Sequence, residues 1–415
     1  MTQWSPIWHV EINGVNYTNY TLANLSITSG RTNIYEQAQA GYVSMELINF
    51  DQAAIPFQIN DSIGISVYNS SNALIPIFGG NVVDLGVTIS ESGSVGFTQR
   101  ISITALGALA RLPKALTNGV LSKAYDGTQI ATILREVLFD TWAEVAGALQ
   151  WDTYDPATQW TNAQNSGYGE IDQPGDYELA ARSSNRTDVY SLVSALATSG
   201  LGYIFEDAQG RIGYADSTHR STYLTTNGYI QLTANDALAR GISMITKAGD
   251  VRNNLTIKYD ATSSSEKSAS DPASIGLYGT LSQIINTTLH NGSDAEDQAN
   301  FYLTLRAYPR AAFNAVTWEL TNPEITDEDR NSLIGVFMGM PVQLTNLPLN
   351  MNAGEFLGFV EGWTFSANYN TLAITLIMSP ISFSLQAMRW NSVPVTEQWN
   401  TVSATLDWEN ATLVA

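Results

Sequence analysis

Along the first hundred or so residues, apolar side chains fall at every second position in short runs. Val43, Met45 and Leu47 make one such run, and Ile63, Ile65 and Val67 another. This period of two is the mark of strands with one face in a core. The pattern predicts strands at Trp8–Ile12, at Asn24–Thr28, through Leu47, at Ile63–Val67, at Leu74–Phe78, at Val82–Ile89 and at Phe97–Ala105. Asn13-Gly14 reads as a hairpin turn, Ser29–Ala40 as a polar loop and Gly79-Gly80 as a bend or bulge. Past Leu112-Pro113 the period changes. Ile130, Ile133, Leu134, Val137, Leu138, Trp142 and Val145 form a helical stripe after Asp126, a cap residue. Residues 151–183 read as a long polar loop. A second helix is predicted from about Thr187 to Gly200 or Gly202, followed by a hairpin of Tyr203–Phe205 and Arg211–Tyr214 around Asp207–Gly210. Further on, residues 261–274 read as a polar loop or disordered excursion. Ser293 with Glu296 reads as a capping box opening a helix through Arg306.

The strand patterns repeat. Val43-Ser44-Met45-Glu46-Leu47-Ile48-Asn49 returns as Val316-Thr317-Trp318-Glu319-Leu320-Thr321-Asn322. Asn24–Thr28 echoes as Asn254–Lys258, Ile63 and Ile65 as Val342 and Leu344, and Ile101–Thr104 as Leu372–Thr375. Phe78, Gly80, Val82, Leu85 and Val87 match Phe356, Gly358, Val360, Trp363 and Phe365. The echoes keep one order, which implies one β-domain present twice. The expected fold is mainly β (β plus α): a β-barrel domain at 1–112, an inserted α/β domain at 113–232, a second barrel at 233–385 and a C-terminal extended arm at 386–415. The two barrels are expected to superpose, with the helix from Ser293 packed on the second. The middle helices are expected to pack on the Tyr203–Tyr214 hairpin.

In the arm, Trp390, Trp399 and Trp408 stand nine residues apart with similar flanks. Nine is odd for a period of two, so one straight strand would turn alternate indoles to opposite faces. Pro394 and the β-branched residues disfavour a helix. The expectation is three short extended pieces, each seating one Trp in a pocket of another chain; these three residues are the candidate partner-binding set.

Composition narrows the classes. A formal charge of −20 and a pI near 4.4 argue against a nucleic-acid-binding surface and against docking on an anionic membrane. There is no cysteine, hence no disulfide and no thiolate site. No signal peptide and no membrane span are read from the chain. The motifs Gly-x-Ser-x-Gly, His-Glu-x-x-His and Gly-x-x-x-x-Gly-Lys are missing. His9, His219 and His290 are far apart in sequence, and Asp327-Glu328-Asp329 reads as an acidic first turn of a short helix. No catalytic residue, metal ligand or cofactor is assigned, and an enzyme is not expected.

One resemblance goes further. Ser29-Gly30-Arg31-Thr32-Asn33, then Gln39-Ala40-Gly41, then Val43–Asn49 and Asp51 resemble a pattern in minor tail proteins of long-tailed phages, with Asn33 where that pattern usually has Asp. The hairpin Leu201–Asp207 with Gly210–Tyr214 also looks like that family, as does Gly358-Phe359-Val360-Glu361-Gly362 followed by Met378-Ser379-Pro380. The resemblance implies a tail-tip, or baseplate, hub: a homotrimer whose chains each carry two tail-tube-like barrels. Six barrels would then match a sixfold tail tube or distal tail protein on one side and a threefold tip or fibre protein on the other. DNA would pass through the channel without specific binding, past an acidic or neutral wall. The protein would sit in the virion at the tail tip, assembled in the host cytoplasm, without membrane insertion. The competing class is a secreted β-rich carbohydrate-binding or polysaccharide-degrading protein whose Trp and Tyr stack on sugars. The tandem copies favour the hub.

Overall fold

The computed structural model describes the chain except for residues 1–3, 51–53, 92–96, 142–150, 154–168, 235–241, 247, 261–264, 310, 314, 350, 352–353 and 382–415. The first copy supplies β1 (Trp8–Ile12), β2 (Thr21–Gly30), β3 (Gln39–Asn49), β4 (Ser62–Tyr68), β5 (Leu74–Glu91) and β6 (Phe97–Leu106). They lie side by side in the order β2-β3-β6-β5-β4-β1. The inserted region supplies a hairpin, β7 (Tyr203–Glu206) with β8 (Ile212–Ala215), then β9 (Ile230–Thr233). The second copy supplies β10 (Val316–Glu319), β11 (Pro341–Thr345), β12 (Phe356–Asn368) and β13 (Leu372–Pro380). There β10 pairs β13, β13 pairs β12, and β12 pairs β11, the neighbours that β3, β6, β5 and β4 have in the first copy.

The agreement extends to register. Val43 faces Ala105 and Met45 faces Ile103, as Val316 faces Leu376 and Trp318 faces Ile374. Ile63 faces Gly80 and Ile65 faces Phe78, as Val342 faces Gly358 and Leu344 faces Phe356. A bulge falls between Val82 and Asp84, and another between the matching Val360 and Gly362. One pairing differs. Leu85 faces Ile103, but Trp363 faces Leu376, two positions beyond Ile374. An even slip keeps every side chain on its face.

The two sets of strands are not separate sheets. β2 runs antiparallel to the outer half of β12, from Gly362 opposite Gly30 to Asn368 opposite Asn24. Both copies thereby join one twelve-stranded sheet, with β9 pairing β11 in parallel at its end.

Several expectations change. Asn254–Tyr259 is not in this sheet; it lies between Ser265–Ser270 and Ser282–Asn286 in a separate one. Its Asn-Leu-x-Ile alternation suits any half-buried strand, and Leu255 and Ile257 are buried there. The place of Ser29 and Gly30 is held instead by Met244 and Ile245, in a strand, Met244–Thr246, that runs antiparallel to Ala311–Phe313 just before β10. Ser265–Ser270 is a strand with alternating burial, not a loop, and Asp271 with Pro272 opens a short helix after it. The helix read from Ser293 spans Gly292–Arg306. Its cap is Asn291, and Glu296 is paired with Lys267 rather than closing a capping box. It packs on Asn254–Tyr259 and Ser265–Ser270, not on the large sheet, and its buried Gln298 donates to the Ser199 carbonyl at 2.7 Å.

In the inserted region, α1 (Asp126–Thr141) packs against α2 (Val189–Ser199), and α2 also lies on β7. Asp188 caps α2, accepting from the Ser191 amide at 2.7 Å. All eight residues of β7 and β8 are buried. Part of the stretch read as a loop joins them: Gly169–Ile171 pairs with β8, and Trp151–Thr153 with Gly169–Ile171, both in parallel. A short α3 (His219–Asn227) leads from β8 to β9.

Candidate functional site

The motifs that were loose in sequence converge at one buried point. Glu361, in the bulged stretch of β12, is 1% exposed. Arg31, the residue after β2, donates from Nε to its Oε2 at 2.6 Å. Arg220, from α3, donates from Nη1 to Oε1 at 2.8 Å and from Nη2 to Oε2 at 2.9 Å, a bidentate fork. The Ser379 hydroxyl of β13 donates to Oε1 at 2.5 Å. Two guanidiniums thus share one carboxylate. The surplus positive charge faces the Tyr203 ring, 4.5 Å from Arg220 and 5.2 Å from Arg31, and the Arg31 fork also donates to the Glu36 carbonyl at 3.1 Å. Burial alone would raise the Glu361 pKa; Arg220 and then Arg31 override it and hold the group at about 2. The chains meet closely here because Gly30 (φ +86) and Gly362 have no side chain: a Cβ on Gly30 would lie 2.4 Å from the Glu361 carbonyl oxygen.

A second buried carboxylate ties the hairpin to the first copy. Glu206, at the end of β7, accepts from the Gly41 amide at 2.5 Å and the Leu109 amide at 2.8 Å. A side chain on Gly41 or Gly107 would collide with it. Burial lifts its pKa to about 7 despite those two donors. A third, Asp126 at the start of α1, does not cap its own helix as expected. It accepts from the Tyr177 amide at 3.0 Å and from the Tyr214 hydroxyl of β8, and burial lifts it to about 7. Close by, His219 Nδ1 lies 2.7 Å from Asp172 Oδ2, which also accepts the Asp216 amide at 2.9 Å. Burial, with Asp172 and Asp176 nearby, lifts Asp216 to about 6.

The Glu361 and Glu206 groups make their bonds across region boundaries, which is the chemistry of a joint, while the Asp126 and Asp172 groups bond within the inserted region. Arg31 and Gly30 come from the first copy, Tyr203 and Arg220 from the inserted region, Glu361 and Ser379 from the second copy. A groove of about 410 Å³ lies elsewhere, between β1, β4, β5 and the turn at Ala208–Gly210, with His9, Glu11, Pro76 and Gln209 on its wall. Asp327-Glu328-Asp329 forms the first turn of a helix, Asp327–Ile334, capped by Thr326. No group of three His, Asp or Glu placed to hold a metal occurs among the described residues. Trp390, Trp399 and Trp408 lie outside the described residues. Sequence reading picked out the segments carrying Arg31, Tyr203, Glu361 and Ser379, but not their meeting; the one available signal was a lone Glu inside an apolar strand, Phe359-Val360-Glu361-Gly362-Trp363.

No protein-family model and no curated protein matches the chain. Solved structures do. A tail protein from Neisseria meningitidis MC58 superposes with a TM-score of 0.61 at 10% identity, covering 92% of this chain and 98% of that one. The 43 kDa tail protein of prophage MuSo2 from Shewanella oneidensis gives a TM-score of 0.54 at 14% identity, covering 91% and 99%. The chain has the fold of these tail proteins, so the resemblance read from its motifs holds at the level of the fold.

Proposed function

We propose that this chain is a structural virion protein of a long-tailed phage, the homotrimeric hub of the tail tip or baseplate. The observation that carries the reading is the strand order found twice in one chain, with two of three pairings in the same register and a bulge at the same point of the third, in a fold shared with tail proteins. A chain with two equivalent units gives six in a trimer. Such a trimer meets a sixfold tail tube or distal tail protein on one face and a threefold tip or fibre protein on the other. The inserted region, 113–232, sits outside the ring, and the buried Glu361 cluster fixes the angle between the two units. DNA passes through the centre without specific binding, past a wall that the net charge of −20 keeps acidic or neutral. The role is assembly, not catalysis, and the arm carrying Trp390, Trp399 and Trp408 docks on a neighbouring chain. No helix among the described residues is long and apolar enough to cross a membrane. The test is an image reconstruction of the intact tail with this chain tagged. Three copies around the tube axis at the tip are expected; a monomeric or dimeric component, or a tag away from the tip, overturns the reading.

A further inference from the structure

The duplication accounts for the groove on the first copy. Gly64 and Gly79 line it, facing each other across β4 and β5, and so do Ser62 and Asn81. The same positions of the second copy, on β11 and β12, hold Gln343 facing Leu357 and Pro341 facing Phe359. One strand further, Asn81 faces Leu106 and Phe359 faces Ser379. Two residues beyond these lie Ala108 in the first copy and Ile381 in the second. In the second copy Leu357, Phe359 and Ile381 pack together with Tyr229 and with Leu224 of α3, and Phe359 is fully buried. In the first copy glycine, asparagine and alanine stand in their places, and about 410 Å³ is left open. The turn at Ala208–Gly210 accounts for Gly79, since a Cβ there would lie 2.4 Å from the Gln209 backbone, but the turn does not fill the space. A void of that size falls in the range of built ligand pockets, about 300–1,000 Å³. Leu74 and Pro76 give it an apolar rim. The half-exposed Glu11 of β1 is the one carboxylate on its wall, and no lysine or arginine among the described residues lines it.

The segment suited to that space starts at the equivalent point of the second copy. Residues 382–415 follow Ile381 and carry Trp390, Trp399 and Trp408. Charge separates the three. Arg389, the only Lys or Arg of 382–415, precedes Trp390; Trp399 has the neutral neighbours Gln398 and Asn400; Trp408 lies between Asp407 and Glu409, which Glu11 would repel. We propose that the groove of each chain receives Trp390 from the C-terminal arm of a second copy. The indole takes the space that Leu357, Phe359 and Ile381 fill in the second unit, and Arg389 faces Glu11. The step from Ile381 to Trp390 spans at most about 30 Å when extended, so the arm reaches an adjoining unit and no further. That the adjoining unit belongs to another chain rests on the hub reading; the choice of groove and of Trp390 rests on the strand pairings and on charge.

The chain has no cysteine, so introduced thiols report without interference. Leu74 stands at the rim, 41% exposed, and Asn391 follows Trp390. The full-length variant Leu74→Cys with Asn391→Cys, treated with a short bismaleimide, is expected to give covalent dimers and trimers on a denaturing gel. The control pair Leu277→Cys with Asn391→Cys, its first position 70% exposed on the helix Pro272–Tyr278, is expected to stay monomeric. Adding Trp390→Ala to the first pair is expected to remove the dimers. Gly64→Trp is expected to do the same by filling the groove from a position where a Cβ meets nothing within 4 Å, with the circular dichroism spectrum unchanged. Glu11→Arg and Arg389→Glu are each expected to lower the yield roughly 2–5-fold, and together to restore it. A trimeric mass by light scattering without the cross-link overturns this docking and leaves the hub reading standing. So does a cross-link that Trp399→Ala or Trp408→Ala removes and Trp390→Ala does not. A cross-link confined to one chain, which migrates as monomer, overturns the second copy as the source of the arm. A monomeric mass at every concentration overturns both the docking and the hub.

Discussion

Glu361 is the residue on which the meeting of the three regions depends, and its environment fixes how it responds to change. Glu361→Gln keeps the shape but removes the charge that balances Arg31 and Arg220. Breaking a buried pair by neutralising one partner costs about 3–5 kcal/mol. Urea denaturation of the variant is expected to show a loss of that order; a loss under about 1 kcal/mol would mean that the two guanidiniums find other acceptors. The pH responses have opposite signs. Glu361 has a folded pKa of about 2, below its ordinary 4.5, so its contribution is present above about pH 4.5 and is lost as pH falls toward 2. Asp126 is raised from 3.8 to about 7, so its contribution is present below about pH 4 and is lost as pH rises through 7. Glu206, at about 7, and Asp216, at about 6, act in the same direction as Asp126. The melting temperature is therefore expected to fall from pH 5 to pH 8. Asp126→Asn keeps an acceptor for the Tyr177 amide and gives Tyr214 a donor in place of the carboxylate, so its melting temperature is expected to fall less steeply over that range. An unchanged slope would show that Asp126 does not titrate there.

At the scale of elements, the inserted region stands on α1 and α2. Leu134 of α1 is fully buried. Leu134→Ala is expected to cost about 2–5 kcal/mol, read as a shift in the urea midpoint of the unit that contains the hairpin. A cost under about 0.5 kcal/mol would remove it from the core. Such elements were legible because each carries its own period. The stripe at Ile130, Ile133 and Leu134 and the alternation at Val43, Met45 and Leu47 are local, and both formed as read. Partner choice is not local. Asn24–Thr28 and Asn254–Lys258 share a pattern, yet they pair in different sheets, because a half-buried strand records only that one face is covered and not what covers it. The polar stretch before Pro272 was misread for a related reason: Ser265–Ser270 is an edge strand whose partners supply the apolar side. The Glu361 cluster shows the same division. Gly30-Arg31 and Glu361-Gly362 stood out as motifs, but 330 residues separate the two charges, and only the β2–β12 pairing brings them together.

At the scale of the whole molecule, the last described strand ends at Pro380, and Trp390, Trp399 and Trp408 lie outside the described residues. If residues 386–415 belonged to the core of this chain, their removal would unfold it. If they serve a neighbour, removal spares the fold and spoils the assembly. Three indoles are costly to leave in water, since burying one aromatic side chain removes roughly 150–250 Å² of surface. Their nine-residue spacing suits separate pockets better than one continuous strand. A chain ending at residue 385 is therefore expected to keep the circular dichroism spectrum and melting temperature of the full-length protein. It is also expected to leave tails without a finished tip when it replaces the full-length chain in an infected host. Substituting Trp390, Trp399 and Trp408 singly by Ala then separates the pockets: a graded loss of finished tails means that each indole docks independently. A truncation that unfolds the chain would place the arm in its own core, and one that yields normal, infectious tails would remove the arm from the assembly altogether.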